Sequence, residues 1–222
     1  MLIETARYEL PPEGITLLGY VVRRMHKTEW LTKIPVLLKE GKTAKALEHA
    51  AVYAVASSTS FGRAYYQPQF NRTGETVSEA DPTTGAVITA RLDSTSPHYD
   101  ISYQAVMPNG DTFKGSETIT GTTIGFRGLG MPAPSKFTFT SGDYTAEFEG
   151  TITSELALSL LRNTRIRAYG SLNIKDNKDN TGRIELNRAG DISVHINEEP
   201  ETHHSIAKIT WVNIKLPAPQ PI

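Results

Sequence analysis

Four residues of one short segment carry side chains that transfer protons: His98, Tyr99, Asp100 and Tyr103. Histidine, tyrosine and carboxyl groups act as general acids and bases when a binding site holds them beside a substrate. In an extended strand Tyr99 and Tyr103 share one face, whereas Asp100 lies on the other. By residue type, these four are the candidate catalytic groups of a cofactor-independent isomerase or cyclase.

The remaining polar clusters do not match known catalytic or metal-binding patterns. Adjacent strand residues point to opposite faces, so His203 and His204 do not share one ion. The polar segment 176–182 lacks the bidentate glutamate that a calcium loop needs at its twelfth position. The sequence has no cysteine, which excludes disulfides and thiolate ligands. We expect neither a metal nor a cofactor.

A pair of carboxylates at Glu147 and Glu149 also has the spacing to share one face of a strand. The residues between and before them, Ala146 and Phe148 among them, form the more apolar face. We therefore expect both glutamates on the solvated side of a sheet. The sequence contains no Gly-X-Ser-X-Gly elbow, phosphate-binding loop or dinucleotide fingerprint.

The charge balance limits the classes of partner that we expect the chain to bind. The 222 residues include 23 Lys and Arg and 24 Asp and Glu, for a net charge of −1. A nucleic-acid-binding domain would carry a basic stripe, and none is present. No apolar run has the length of a membrane span, and residues 1–20 lack the apolar core of an export signal. We expect a cytoplasmic chain that does not bind nucleic acid and does not span a membrane.

The elements that must position these groups are mainly strands behind a helical N-terminal segment. Residues 44–56 predict a helix, because Leu47, Ala51 and Val55 recur at helical spacing after Thr43, which is a good cap. Residues 29–39 predict a weaker helix that Pro35 starts or interrupts. We expect one domain over residues 1–222, divided into a mixed helical segment (1–66), a loop (67–84), an antiparallel β region (85–216) and a frayed tail (217–222).

Two hairpins stand out in the β region. Asn109-Gly110 between alternating segments predicts a type I′ turn, which requires a positive φ at both residues. Residues 136–152 alternate almost perfectly around a turn at 141–143. The predicted fold is therefore an antiparallel meander that closes into a barrel or a strongly curved sheet, with one or two N-terminal helices.

If the sheet curls, its inward side chains form an apolar lining. We expect a hydrophobic small molecule or lipid to bind there, with the helix at 44–56 as a lid. The predicted ligand-lining residues are Phe137, Phe139, Tyr144, Phe148, Ile166 and Leu172. Two alternatives are the isomerase or cyclase named above and a non-catalytic accessory subunit, which would use Tyr20 and Trp30 to contact a partner. The sequence leaves oligomerisation open.

Overall fold

The structure is a computed structural model. It describes residue 22 and residues 28–65, 75–95, 98–120, 123–125, 128–157, 164–205 and 213–214. Helices come first and antiparallel strands follow, which confirms the mainly β class. The helices are α1 (Glu29–Thr32), α2 (Ile34–Lys39) and α3 (Thr43–Tyr65). The strands are β1 (Glu75–Ala80), β2 (Val87–Thr95), β3 (His98–Val106), β4 (Thr112–Thr120), β5 (Thr123–Gly125), β6 (Gly128–Ser141), β7 (Tyr144–Ala157), β8 (Thr164–Asp176), β9 (Thr181–Leu186), β10 (Asp191–Ile196), β11 (Thr202–Ser205) and β12 (Asn213–Ile214).

The long helix α3 confirms the helix predicted at residues 44–56 and extends it to Tyr65. The weaker predicted helix is two short helices, and Pro35 lies in the first turn of α2. Proline is tolerated there because the N–H groups of a first turn have no partner within the helix. Within the described residues, no helix is both long and apolar enough to cross a membrane.

Helix α3 is enclosed by other parts of the fold and does not cover the opening of a cavity. Every side chain from Ala46 to Ser58 is buried, so no face of this segment meets solvent. A helix buried on all sides is typical of a core element. The prediction that this helix is a lid is therefore wrong: it lies inside the sheet that was expected to enclose a ligand.

Ten strands form one antiparallel meander in the order β1-β2-β3-β4-β6-β7-β8-β9-β10-β11, while β5 pairs with β6 and β12 with β8. The described strands form an open sheet, because β1 and β11 are its two ends and do not pair with each other. The sheet curves around α3. Phe113 of β4 contacts the helix, β6 to β10 pack along it, and His204 of β11 reaches Glu48 at its beginning.

Two local predictions differ from the structure. The interval 67–84, predicted to be a loop, contains β1, which pairs with β2 from Glu75↔Leu92 to Ala80↔Val87. The Asn109-Gly110 turn is not type I′, because only Gly110 has a positive φ, of 89°. The Gly110 N–H donates to the Met107 carbonyl, so the connection between β3 and β4 is a longer turn with glycine in the left-handed conformation.

The hairpin of β6 and β7 has the predicted faces and a two-residue connection between Ser141 and Tyr144. Thr138, Glu147 and Glu149 lie on the outer side of the sheet. Five predicted lining residues are at most 2% exposed, and they face the enclosed helix: Phe137, Phe139, Tyr144, Phe148 and Leu172. The side chain of the sixth, Ile166, lies outside the described part of the structure.

Candidate functional site

The structure describes the side chains of two of the four predicted catalytic residues, and these two lie on opposite faces of β3. Tyr103 points inward from β3 and is 4% exposed. Asp100 lies on the solvated face, where its Oδ1 accepts a hydrogen bond of 2.7 Å from Thr118 Oγ1. The side chains of His98 and Tyr99 lie outside the described part of the structure. Strand alternation separates Asp100 from Tyr103, as the sequence predicted, so these two cannot act on one substrate atom.

The inward face of the neighbouring strand supplies an unexpected carboxyl group. Glu117 of β4 is 2% exposed and follows Phe113 and Gly115 in the same inward phase. Burial raises the pKa of Glu117 to about 7, and hydrogen bonds with Ser58 and Ser135 oppose that rise only in part. Desolvation disfavours the carboxylate because few charges or dipoles replace the lost water.

Ser135 contacts two acceptors with its one hydroxyl group. Ser135 Oγ lies 2.8 Å from the Ala133 carbonyl oxygen and 3.3 Å from Glu117 Oε1. A serine hydroxyl has one proton, so Ser135 shares it between the carbonyl oxygen and the carboxylate. The longer of the two bonds therefore offsets only part of the desolvation of Glu117.

Two tyrosines and a serine complete the polar group, which we call the Glu117 cluster: Tyr53, Ser57, Ser58, Tyr103, Glu117 and Ser135. Burial raises the pKa of Tyr53, and it raises the pKa of Tyr103 together with the nearby Glu117 charge. Ser57 is close enough to both phenols to oppose these rises. Even so, neither Tyr53 Oη nor Ser57 Oγ completes a hydrogen bond of normal geometry with any described residue.

A packed group of aromatic rings fixes the tyrosines. Tyr53 meets Phe113 edge-on with ring centroids 4.8 Å apart, and Tyr103 stacks on Phe113 at 6.0 Å. The Tyr103 ring also lies over Gly115, where a Cβ atom would collide with that ring and come within 2.7 Å of Phe137. Glycine at this inward position therefore makes room for Tyr103 beside Glu117.

Sequence reasoning missed Glu117, Tyr53 and Ser57. A signal for Glu117 was available, because Phe113, Gly115 and Glu117 alternate with polar residues and place the glutamate in the inward phase. For Tyr53 and Ser57, their spacing of one helical turn places them on one face. The way the sheet wraps around the helix decides which strands that face contacts. The local sequence pattern does not contain this information.

A second polar cluster lies near the beginning of α3. Glu48 has a side chain 5% exposed, and its Oε1 lies 2.7 Å from His204 Nε2. Lys45 Nζ lies 2.7 Å from the other carboxylate oxygen. His49 and His204 contact the Trp30 ring, with centroids 4.8 and 5.4 Å away. Because each group has a partner, the cluster fastens α1 to β11.

This packing bears on two predictions. Trp30, expected to contact a partner protein, is packed between two histidines of its own chain, while Tyr20 lies outside the described residues. His203 faces outward and His204 inward, as strand alternation predicted. Among the residues that the structure describes, no three His, Asp or Glu side chains are placed to hold a metal ion.

The solvated face of the sheet bears open grooves. One of them, of about 700 Å³, lies over β6 to β9. Its charges pair with each other: Lys136 Nζ lies 3.0 Å from Glu149 Oε1 and Lys175 Nζ 2.9 Å from Glu147 Oε2. Glu147 and Glu149 are thus on the solvated side, as predicted, and each forms a surface ion pair.

Comparison of the chain with models of known protein families, with curated proteins and with solved structures found no match. The Glu117 cluster is therefore interpreted from its own geometry.

Proposed function

We propose that the chain binds a small, mainly apolar molecule between α3 and the inner face of the sheet, with the Glu117 cluster recognising its polar group. Small-molecule sites combine an apolar lining with a few converging polar groups. The five described lining residues supply the first part of that description, and the cluster supplies the second. The proposal places this binding chain in the cytoplasm and assigns it no cofactor.

One observation supports the proposal most strongly. Tyr53 and Ser57 are each 1% exposed, and neither hydroxyl oxygen completes a hydrogen bond of normal geometry with a described residue. Buried hydroxyl groups in folded proteins are nearly always paired, since an unpaired one costs about 1–3 kcal/mol. A ligand oxygen or hydroxyl at this place would satisfy both groups.

The test is a titration of purified protein with Nile red, an uncharged apolar dye whose fluorescence rises in an apolar site. We expect Nile red to bind the parent saturably. Tyr53→Phe and Ser57→Ala should change the affinity of small molecules that displace the dye. Thr138→Val, which removes a hydroxyl from the solvated face, is the matched control. Native mass spectrometry of protein from its host would detect a retained ligand or partner. Absence of saturable binding would refute the proposal.

A second candidate function, a proton-transferring isomerase or cyclase, is favoured by Glu117 specifically. A carboxyl group with a pKa of about 7 is half ionised near neutral pH and can both take and return a proton. In this scheme Glu117 moves a proton between two carbons of the substrate, while Tyr103 donates a hydrogen bond to its oxygen. Exchange of a ligand C–H proton for deuterium, lost in Glu117→Gln, would distinguish catalysis from binding alone.

A further inference from the structure

We infer that the ligand of the Glu117 cluster carries an alcohol or carbonyl oxygen, and that the site rejects a fatty acid of the same length. This inference rests on the proposed function and specifies the substrate class of the same site. It follows from which charges are present around the cluster and which are not.

The cluster contains one ionisable carboxyl group and no cation. In the described part of the chain no lysine or arginine is buried, and the buried histidine, His49, packs against Trp30 one helical turn before Tyr53. The remaining members are hydroxyl groups on serine and tyrosine. A buried carboxylate needs a cationic partner or several donors to offset its desolvation. A fatty-acid head group would instead lie beside Glu117, which repels it when ionised.

The hydroxyl groups of the cluster suit a neutral oxygen. Tyr53 and Ser57 are buried, and neither completes a hydrogen bond of normal geometry with a described residue. A ligand hydroxyl or carbonyl oxygen can pair with both, because each phenol or serine hydroxyl can donate one hydrogen bond.

The experiment measures displacement of Nile red by three compounds of one chain length: dodecanol, 2-dodecanone and dodecanoate. At about pH 8 we expect the alcohol or the ketone to displace the dye at least about tenfold more strongly than dodecanoate, since like charges are disfavoured on desolvation. Equal or stronger displacement by dodecanoate would overturn the inference while leaving the proposed binding function intact.

A variant separates the electrostatic cause from simple fit. Glu117→Gln keeps the shape of the side chain and removes its charge, so the preference against dodecanoate should shrink at about pH 8. Glu149→Gln makes the same chemical change at a side chain 68% exposed on the outer face, and its preferences should match the parent. An unchanged preference in folded Glu117→Gln would show that Glu117 does not select the ligand. If Nile red does not bind the parent saturably, the proposed function fails as well.

Discussion

The buried carboxyl group of Glu117 should make the stability of this protein depend on pH in a way that one substitution removes. The rise of its pKa from 4.5 to about 7 means that the folded chain holds this proton more tightly than the unfolded chain. Each tenfold difference in proton affinity is worth about 1.4 kcal/mol, so ionised Glu117 costs the fold about 3 kcal/mol.

The sign follows from where the proton is lost. Below pH 4.5 the carboxyl group is protonated in both states, and its contribution is at its most favourable. As the pH rises from 4.5 to about 7 the unfolded chain releases the proton first, so stability falls through this window. Glu117→Gln has no proton to lose. Relative to the variant, the parent should therefore lose about 3 kcal/mol between about pH 4 and 8.

The assay is urea unfolding of parent and variant at several pH values, with the difference between them taken at each pH. Subtracting the unfolding free energy of the variant from that of the parent removes the contribution of all other titrating groups, as long as the substitution does not perturb them. Glu149→Gln is the control, and because Glu149 is 68% exposed its difference from the parent should stay within about 0.5 kcal/mol. Parallel curves for the parent and Glu117→Gln would refute the burial argument.

Four further predictions concern other parts of the fold. Tyr53→Phe should leave stability unchanged or raise it, because its hydroxyl completes no hydrogen bond of normal geometry with a described residue, whereas Tyr144→Phe should cost about 1 kcal/mol by losing the 3.1 Å bond to Asp176. Phe148→Ala should cost roughly 3–5 kcal/mol in urea unfolding if the site is packed core, and Glu149→Ala little; equal losses would contradict the assigned faces. Gly110→Val should lower stability by about 1–3 kcal/mol in thermal unfolding, because φ is 89° there; unchanged unfolding would contradict the turn geometry. Burial lowers the pKa of His49, so the parent should lose stability relative to His49→Gln as the pH falls through 6.5; a constant difference in unfolding free energy would contradict this.

The parts of the fold that sequence predicted are those that local pattern determines. The hairpin of β6 and β7 was predictable because a strand buried on one face must alternate, and phenylalanine, threonine and glutamate do so there. Strand β1 was missed because its sequence holds a single large apolar residue, Val77, and among the described strands it pairs with β2 alone. An edge strand buries little, so little of its pattern is apolar.

The position of α3 was missed for a different reason. Its buried stretch is largely alanine and valine around Leu47 and Tyr53, which pattern analysis reads as one apolar face. A helix that is apolar on all sides belongs in a core, and small side chains let a sheet pack closely around it. Length and composition indicated the burial, yet they did not indicate which strands would surround the helix.

Both the local sequence pattern and the wrapping of the sheet determine the surroundings of Glu117. This is why it is the most informative residue of the chain. Alternation along β4 places it inward, where local pattern favours an apolar residue. The wrapped sheet then brings Ser58 and the hydroxyls of α3 to it from a distant part of the sequence. A carboxyl group that costs the fold stability at neutral pH, beside two hydroxyls with no described partner, conflicts with what packing alone would select. Such conflicts concentrate at functional sites, so Glu117 is where the search for a ligand should begin.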